Sequence, residues 1–319
     1  MSLVPEKSPC LYHLSMAWKE SYLTEDTFIL LVVSTAISLI AVLPTILLNC
    51  LVIFAVATRH QLQNNCNLLL AGLASADLFT GLVAQPVRIA VEIRRILGVG
   101  PFCTIEKVYG TCINLSTIAS LTHLVLISGD RYIAIKHSLR YDGLVTKQRI
   151  LIGELLGWAF IILAIIPELV LAIIKDETKF SVQVVHAVTT IICTICFYLV
   201  IGINVYLFSA TRRQKKRIRT QQVPQAEAKK IKKDNKAVNT VVIILGALII
   251  TYLPGFFNAT FLILRSAGDS GQLTAVNIVV SWFTLIFILL GSLVNPIIYC
   301  WRSRKLRRVF VAILLFRQS

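Results

Sequence analysis

The 319-residue sequence predicts an all-α membrane protein: a seven-transmembrane helix bundle followed by a short amphipathic C-terminal helix. Three observations carry this. Hydrophobic residues make up 56% of the chain and the mean hydropathy is +0.76, beyond the roughly half-apolar composition of soluble domains. Seven stretches, 28–57, 66–91, 105–133, 149–174, 181–209, 237–264 and 273–301, each exceed the ~20 residues that cross a hydrocarbon core. Basic residues gather in alternate connections between them. Backbone groups in lipid must be satisfied within the segment, so the spans are helices.

Each element follows in order. Residues 1–27 are too few for a folded ligand-capturing domain. They lack the basic n-region and short apolar core of a cleavable signal, so the first span is expected to act as an uncleaved anchor. The second span carries Asp77, read as the only carboxylate in the middle of any span. The third and fifth carry Asn114, His123, His186 and Asn204, the scattered polar residues of helices facing a bundle interior. The loop after span four is minimal, about Lys175 to Phe180. The longest connection, Thr211 to Lys236, is polar and basic, with Pro224 as a break between helical ends. Residues 28–301 thus form the bundle and 302–319 a tail. In that tail Arg304, Lys305, Arg307 and Arg308 alternate with apolar residues, as in a helix lying on anionic lipid, the alternative being a disordered end.

The basic connections set the orientation. Arg59, then Lys136, Arg140, Lys147 and Arg149, then the cluster from Arg212 to Lys236, then Arg302 to Arg308 all fall on one side. The positive-inside rule makes that side cytoplasmic and places the N-terminus outside, as for a multi-pass plasma-membrane protein. Topology thereby accounts for the net charge of +16, and nucleic acid is not an expected partner. No His/Cys/carboxylate grouping has the spacing of a catalytic nucleophile or metal centre, so an enzyme is not predicted. The absence of an internal repeat argues against an inverted-repeat transporter.

Short polar motifs sit at fixed places on these spans: Asp77 in the second, Asp130-Arg131-Tyr132 closing the third, Pro254 in the sixth, and Asn295-Pro296-Ile297-Ile298-Tyr299 closing the seventh. Polar groups in lipid are costly and persist where they act. In this order, the chain resembles a rhodopsin-like (class A) G-protein-coupled receptor. The resemblance implies coupling to a heterotrimeric G protein. It covers nearly all of 28–310.

Several roles follow from the resemblance. Asp130 holds Arg131, and Asp234, 20 residues before Pro254 and so about 30 Å down the sixth helix, is the expected second partner. Such a bistable contact suits a switch; the alternative is two solvated charges. Pro254 should bend its helix. Two residues before it, the usual tryptophan is replaced by Tyr252, whose hydroxyl requires a polar partner. Tyr206 and Tyr299 are expected near Arg131 in the active state. Family packing places Ser120, Ser292, Asn295 and Asn49 around Asp77, a set of hard oxygens suited to a sodium ion. The alternative is a protonated Asp77 in a water network.

Ligand residues are less conclusive. The run from Asp130 to Ile135, with Leu139 to Thr146, looks like adenosine receptors, whereas the short loop after span four and the proline-free fifth span look like melanocortin receptors. Amine-binding members carry an aspartate where this chain has Ile113. Opsins carry a lysine, and adenosine receptors a histidine, where it has Leu289. The asparagine that adenosine receptors place five residues past the proline is Ala259, with Asn258 beside it. The remaining candidate pocket comprises Arg88, Glu92, Asn114, Thr117, His186, Tyr252, Asn258 and Trp282, with Arg88 paired either to Glu92 or to an anionic ligand. The usual loop cysteine after span four is absent, which leaves Cys10 and Cys103 as the candidate extracellular disulfide. Ser303 and Ser319 are the only hydroxyls after Tyr299, so the resemblance implies weak arrestin recruitment.

Overall fold

A computed structural model describes residues 25–99, 103–137, 140–173, 179–220, 246, 250–255, 257 and 275–314. Among these the secondary structure is helical, with no strand. Among the described residues six helices are long and apolar enough to cross a membrane: Thr27–Thr58, Asn65–Ile96, Thr104–Lys136, Lys147–Leu171, Val184–Arg213 and Phe283–Trp301. The span expected at 237–264 lies largely outside the described residues, and its described part, 250–255, is helical.

The first span is α1 (Glu25–Thr58). The second is one rod in three pieces: α2 (Asn65–Phe79), a π turn (Thr80–Ala84) and α3 (Gln85–Ile96). Asn64 caps α2 by accepting from the Asn67 amide at 3.0 Å. The π turn has a sequence cause. Pro86 cannot donate to the preceding turn and its ring crowds the carbonyl four residues back, so the helix widens just before it.

At the centre stands α4 (Cys103–Lys136), packed against α2, α6 and α7. After it come the single turn α5 (Tyr141–Leu144), α6 (Lys147–Ile173) and α7 (Lys179–Thr220). Leu155, Leu156, Ile162 and Leu163 of α6 are exposed, as expected where the neighbour is lipid. At 1.5 Å per residue the 42 residues of α7 reach about 63 Å, twice a hydrocarbon core. The basic run from Arg212, expected as a helical end of the long connection, is helix up to Thr220, in keeping with Arg and Lys as good helix formers.

The last span is α8 (Ala275–Arg302), followed by α9 (Arg304–Leu314). Ser303 caps α9 by accepting from the Leu306 amide at 3.3 Å. Leu306, Val309 and Phe310 are buried in the main core, while Arg304, Lys305, Arg307 and Arg308 are exposed. This is the two-faced helix expected of the tail. The main core itself gathers Leu73, Ala76, Leu121, Leu124, Tyr252 and Tyr299 from the helices around α4.

Candidate functional site

At the basic end of α4, Asp130 and Arg131 are both buried, which sets a strong demand for partners. Arg131 Nε donates to Asp130 Oδ2 at 2.8 Å, and Nη2 contacts the same oxygen. A third residue completes the pair. Tyr141 of α5 donates its hydroxyl to Asp130 Oδ1 at 2.6 Å, accepts from Arg131 Nη2 at 3.3 Å, and places its ring under the guanidinium. Burial, and then the bond to Asp130, push the Tyr141 hydroxyl above its ordinary pKa, so it remains a donor. The turn is positioned in turn by Asn65, which donates to the Val145 carbonyl at 2.6 Å. Tyr206 packs on Tyr132 with ring centroids 4.9 Å apart, and Tyr299 is buried. Asp234 lies outside the described residues.

Asp77 sits fully buried where α2, α4 and α8 meet. Asn295 donates to its Oδ2 at 2.7 Å and Ser120 to its Oδ1 at 3.4 Å, with Ser292 beside the same carboxyl. Asn49 donates to the carbonyls of Thr45 and Ser292 at 2.9 and 3.0 Å. The buried hydroxyl of Tyr252 has Ser120 beside it, a polar neighbour of the kind its burial calls for. Pro254 lies two residues on, in the helical segment 250–255. The amide oxygens of Asn49 and Asn295 are buried and meet no donor. One carboxylate with hydroxyl and spare amide oxygens matches the demands of a small hard monovalent cation.

Toward the other end of the bundle, the expected ligand residues divide into separate groups. Arg88 is turned to Glu92, with Nε donating to Oε1 at 2.9 Å, and Thr35 donates to Oε2 at 3.0 Å. Of the two partners open to Arg88, the internal one is realised. A second buried pair follows, in which Arg95 Nη2 donates to both oxygens of Glu106 at 2.9 and 3.1 Å. Thr117 turns its hydroxyl to the Ile113 carbonyl of its own helix. Asn258 lies outside the described residues, as does the side chain of Trp282. The same holds for Cys10 and for the side chain of Cys103, so the expected disulfide falls there too.

Asp77 is the carboxylate at the middle of a span, but α6 carries two more nearer its ends that the sequence reading did not use. Glu168 is fully buried, and its Oε1 accepts from Asn114 of α4 at 2.9 Å and Thr189 of α7 at 3.0 Å. His186 Nδ1 stands 3.7 Å from the same atom. Three helices thus converge on one carboxylate, next to Pro167. Glu154 is the second such case. It reaches His123 Nε2 at 3.1 Å, while His123 Nδ1 faces the Ala119 carbonyl at 2.8 Å. Gly72 makes room for it: a Cβ there would stand 2.3 Å from Glu154 Oε2. A census of every carboxylate in the apolar stretches would have found both.

The sequence profile described as 7 transmembrane receptor (rhodopsin family) matches residues 48–299. The chain is 26% identical to adenosine receptor A2a of Canis lupus familiaris over 91% of its own length and 73% of that receptor's. It is 27% identical to melanocortin receptor 5 of Rattus norvegicus, covering 85% of this chain and 81% of the relative. With the histamine H2 receptor of Homo sapiens the identity is 29%, over 86% and 77% of the two chains. These relatives are receptors, not enzymes. Multi-pass, helical and built around the Asp77 and Asp130-Arg131 groups, the chain belongs to the rhodopsin family of seven-transmembrane receptors, the class A G-protein-coupled receptors.

Proposed function

We propose that this chain converts binding of an extracellular ligand into nucleotide exchange on a heterotrimeric G protein, from the plasma membrane, with its N-terminus outside and its basic face in the cytoplasm. The observation that carries the reading is the enclosure of Arg131. Its guanidinium is held by Asp130 and Tyr141 at the basic end of the central helix. Turned inward, this group is withheld from a partner. Released, it presents a cation and five donors at the face where a G protein would dock. Asp234 on the sixth helix is the expected second tether. Outward movement of that helix, with Tyr206 and Tyr299 closing in beneath, would complete the switch.

Asp77, Ser120, Ser292 and Asn295 would hold a sodium ion. There the cation would compensate the buried carboxylate and favour the packing in which α2, α4 and α8 are drawn together. Tyr252 communicates with that network through Ser120. The relatives' names differ in ligand, adenosine, melanocortin and histamine, so none of these is carried over. The direct test is cyclic AMP in cells expressing the chain, with and without adenosine, beside Arg131→Ala. A basal or adenosine-dependent change lost in the variant supports the reading, and an unchanged response in Arg131→Ala contradicts it.

A further inference from the structure

The outer half of α3 holds a charged pair whose hydrogen bonding is incomplete. Arg88 is 1% exposed. Its Nε donates to Glu92 Oε1 at 2.9 Å and its Nη2 lies 2.8 Å from the same oxygen. Beyond that charge contact the fork is unmet: Nη1 and Nη2 are both buried, and neither makes a hydrogen bond. Glu92 is already engaged from α1, by Thr35 at 3.0 Å and Ser34 at 3.5 Å, and does not swing to serve it. An unmet donor on a buried charged group is costly and in native proteins calls for an explanation.

One further group nearby is also unmet. Gln85, one turn before Arg88, donates to the Leu289 carbonyl at 3.3 Å but leaves its buried Oε1 without a donor. The wall here is apolar, with Tyr109, Leu285 and Leu289 in one buried cluster that also takes in Ala84 of the π turn and Val91 of α3. A fork of cationic donors backed by apolar surface is chemically asymmetric. It fits a molecule with an oxyanion at one end and hydrocarbon at the other.

We propose that Arg88 anchors the head group of a small amphiphile carrying one oxyanion, a carboxylate or a phosphate, whose apolar body lies along Tyr109, Leu285 and Leu289. As an agonist site this rests on the receptor reading above; as a binding site it does not. The ligand oxyanion accepts from Nη1, while Glu92 keeps its bonds to Ser34 and Thr35. Glu92 and the ligand compete for one positive charge. Neutralising Glu92 therefore strengthens the site, whereas a purely structural Arg88–Glu92 pair would only lose stability.

The test is thermal unfolding of the purified full-length receptor in nanodiscs of neutral lipid. Decanoate, decyl phosphate and decanol are titrated in, the anions as potassium salts. The expected result is a saturable rise in Tm with at least one of the two anions and none with decanol. Response to decanoate alone assigns a carboxylate head, and response to decyl phosphate alone a phosphate head. Glu92→Gln lowers the half-saturating concentration about tenfold. The double variant Arg88→Gln/Glu92→Gln, which leaves no buried charge unpaired, loses the response. The proposal is overturned by equal shifts with anions and decanol, by no shift with either anion, or by an undiminished response in the double variant. Failure of the receptor reading shows separately, as anion binding intact without any nucleotide exchange on a G protein.

Discussion

Tyr141 donates a 2.6 Å hydrogen bond to Asp130 while accepting one from Arg131, so the single turn α5 is latched onto the charged pair that ends α4. In the proposed switch, this contact makes the connection between α4 and α6 a working part rather than a spacer. Tyr141→Phe removes the hydroxyl and keeps the ring beneath the guanidinium. Asp130 then loses a donor worth about 1–2 kcal/mol. Basal nucleotide exchange should rise several-fold, about the factor of 5–30 that such an energy represents. Basal exchange unchanged from wild type would show that α5 does not restrain Arg131.

Glu168 ties three helices through one oxygen, with Asn114 and Thr189 as donors. Glu168→Leu strands both donors in the interior and should destabilise the receptor by about 1–3 kcal/mol, read as a lower Tm. Glu168→Gln keeps an acceptor and should cost less. The interaction should also appear as non-additivity with Asn114→Ala, with a coupling of about 0.5–3 kcal/mol in a double-mutant cycle. Additive effects would mean the contact contributes nothing.

Gly72 is an opening in α2 through which Glu154 reaches His123. Gly72→Ala pushes the carboxylate away, so its cost is the lost His123 contact rather than a backbone clash. We expect a loss of about 1–2 kcal/mol by thermal unfolding. In a Glu154→Ala background the same substitution should be close to neutral. An equal penalty in both backgrounds would place the cost in α2 itself.

Sodium dependence follows from the Asp77 group. With sodium chloride replacing choline chloride at equal ionic strength, wild-type Tm should rise and basal exchange fall. Asp77→Asn should abolish both effects, because an amide no longer supplies the negative charge that the buried cation needs. A sodium effect that survives Asp77→Asn would locate the ion elsewhere.

The sequence reveals much of the framework, for physical reasons. Span length and composition announce membrane helices whatever their neighbours, which is why six of the seven expected spans have counterparts among the described residues. The amphipathic tail was legible because Arg304, Lys305, Arg307 and Arg308 alternate with Leu306, Val309 and Phe310 at helical spacing. Interhelical partners were less accessible. That Asn114 bonds to Glu168, or that Gly72 opposes Glu154, depends on how rods separated by tens of residues are rotated against each other, and hydropathy carries no such information. Tyr141 was passed over because it lies in a loop-like run, where a single helical turn leaves no periodicity. Tyr252 was recognised as needing a polar partner, but only packing identifies that partner as Ser120.

The central claim is that Arg131 transmits activation to a G protein. Its most direct test is guanine-nucleotide exchange by purified receptor in nanodiscs with a panel of purified heterotrimers, comparing wild type, Tyr141→Phe and Arg131→Ala. The account predicts exchange above the receptor-free rate for at least one heterotrimer, a higher rate with Tyr141→Phe, and the receptor-free rate with Arg131→Ala. Equal exchange by wild type and a folded Arg131→Ala receptor would contradict it.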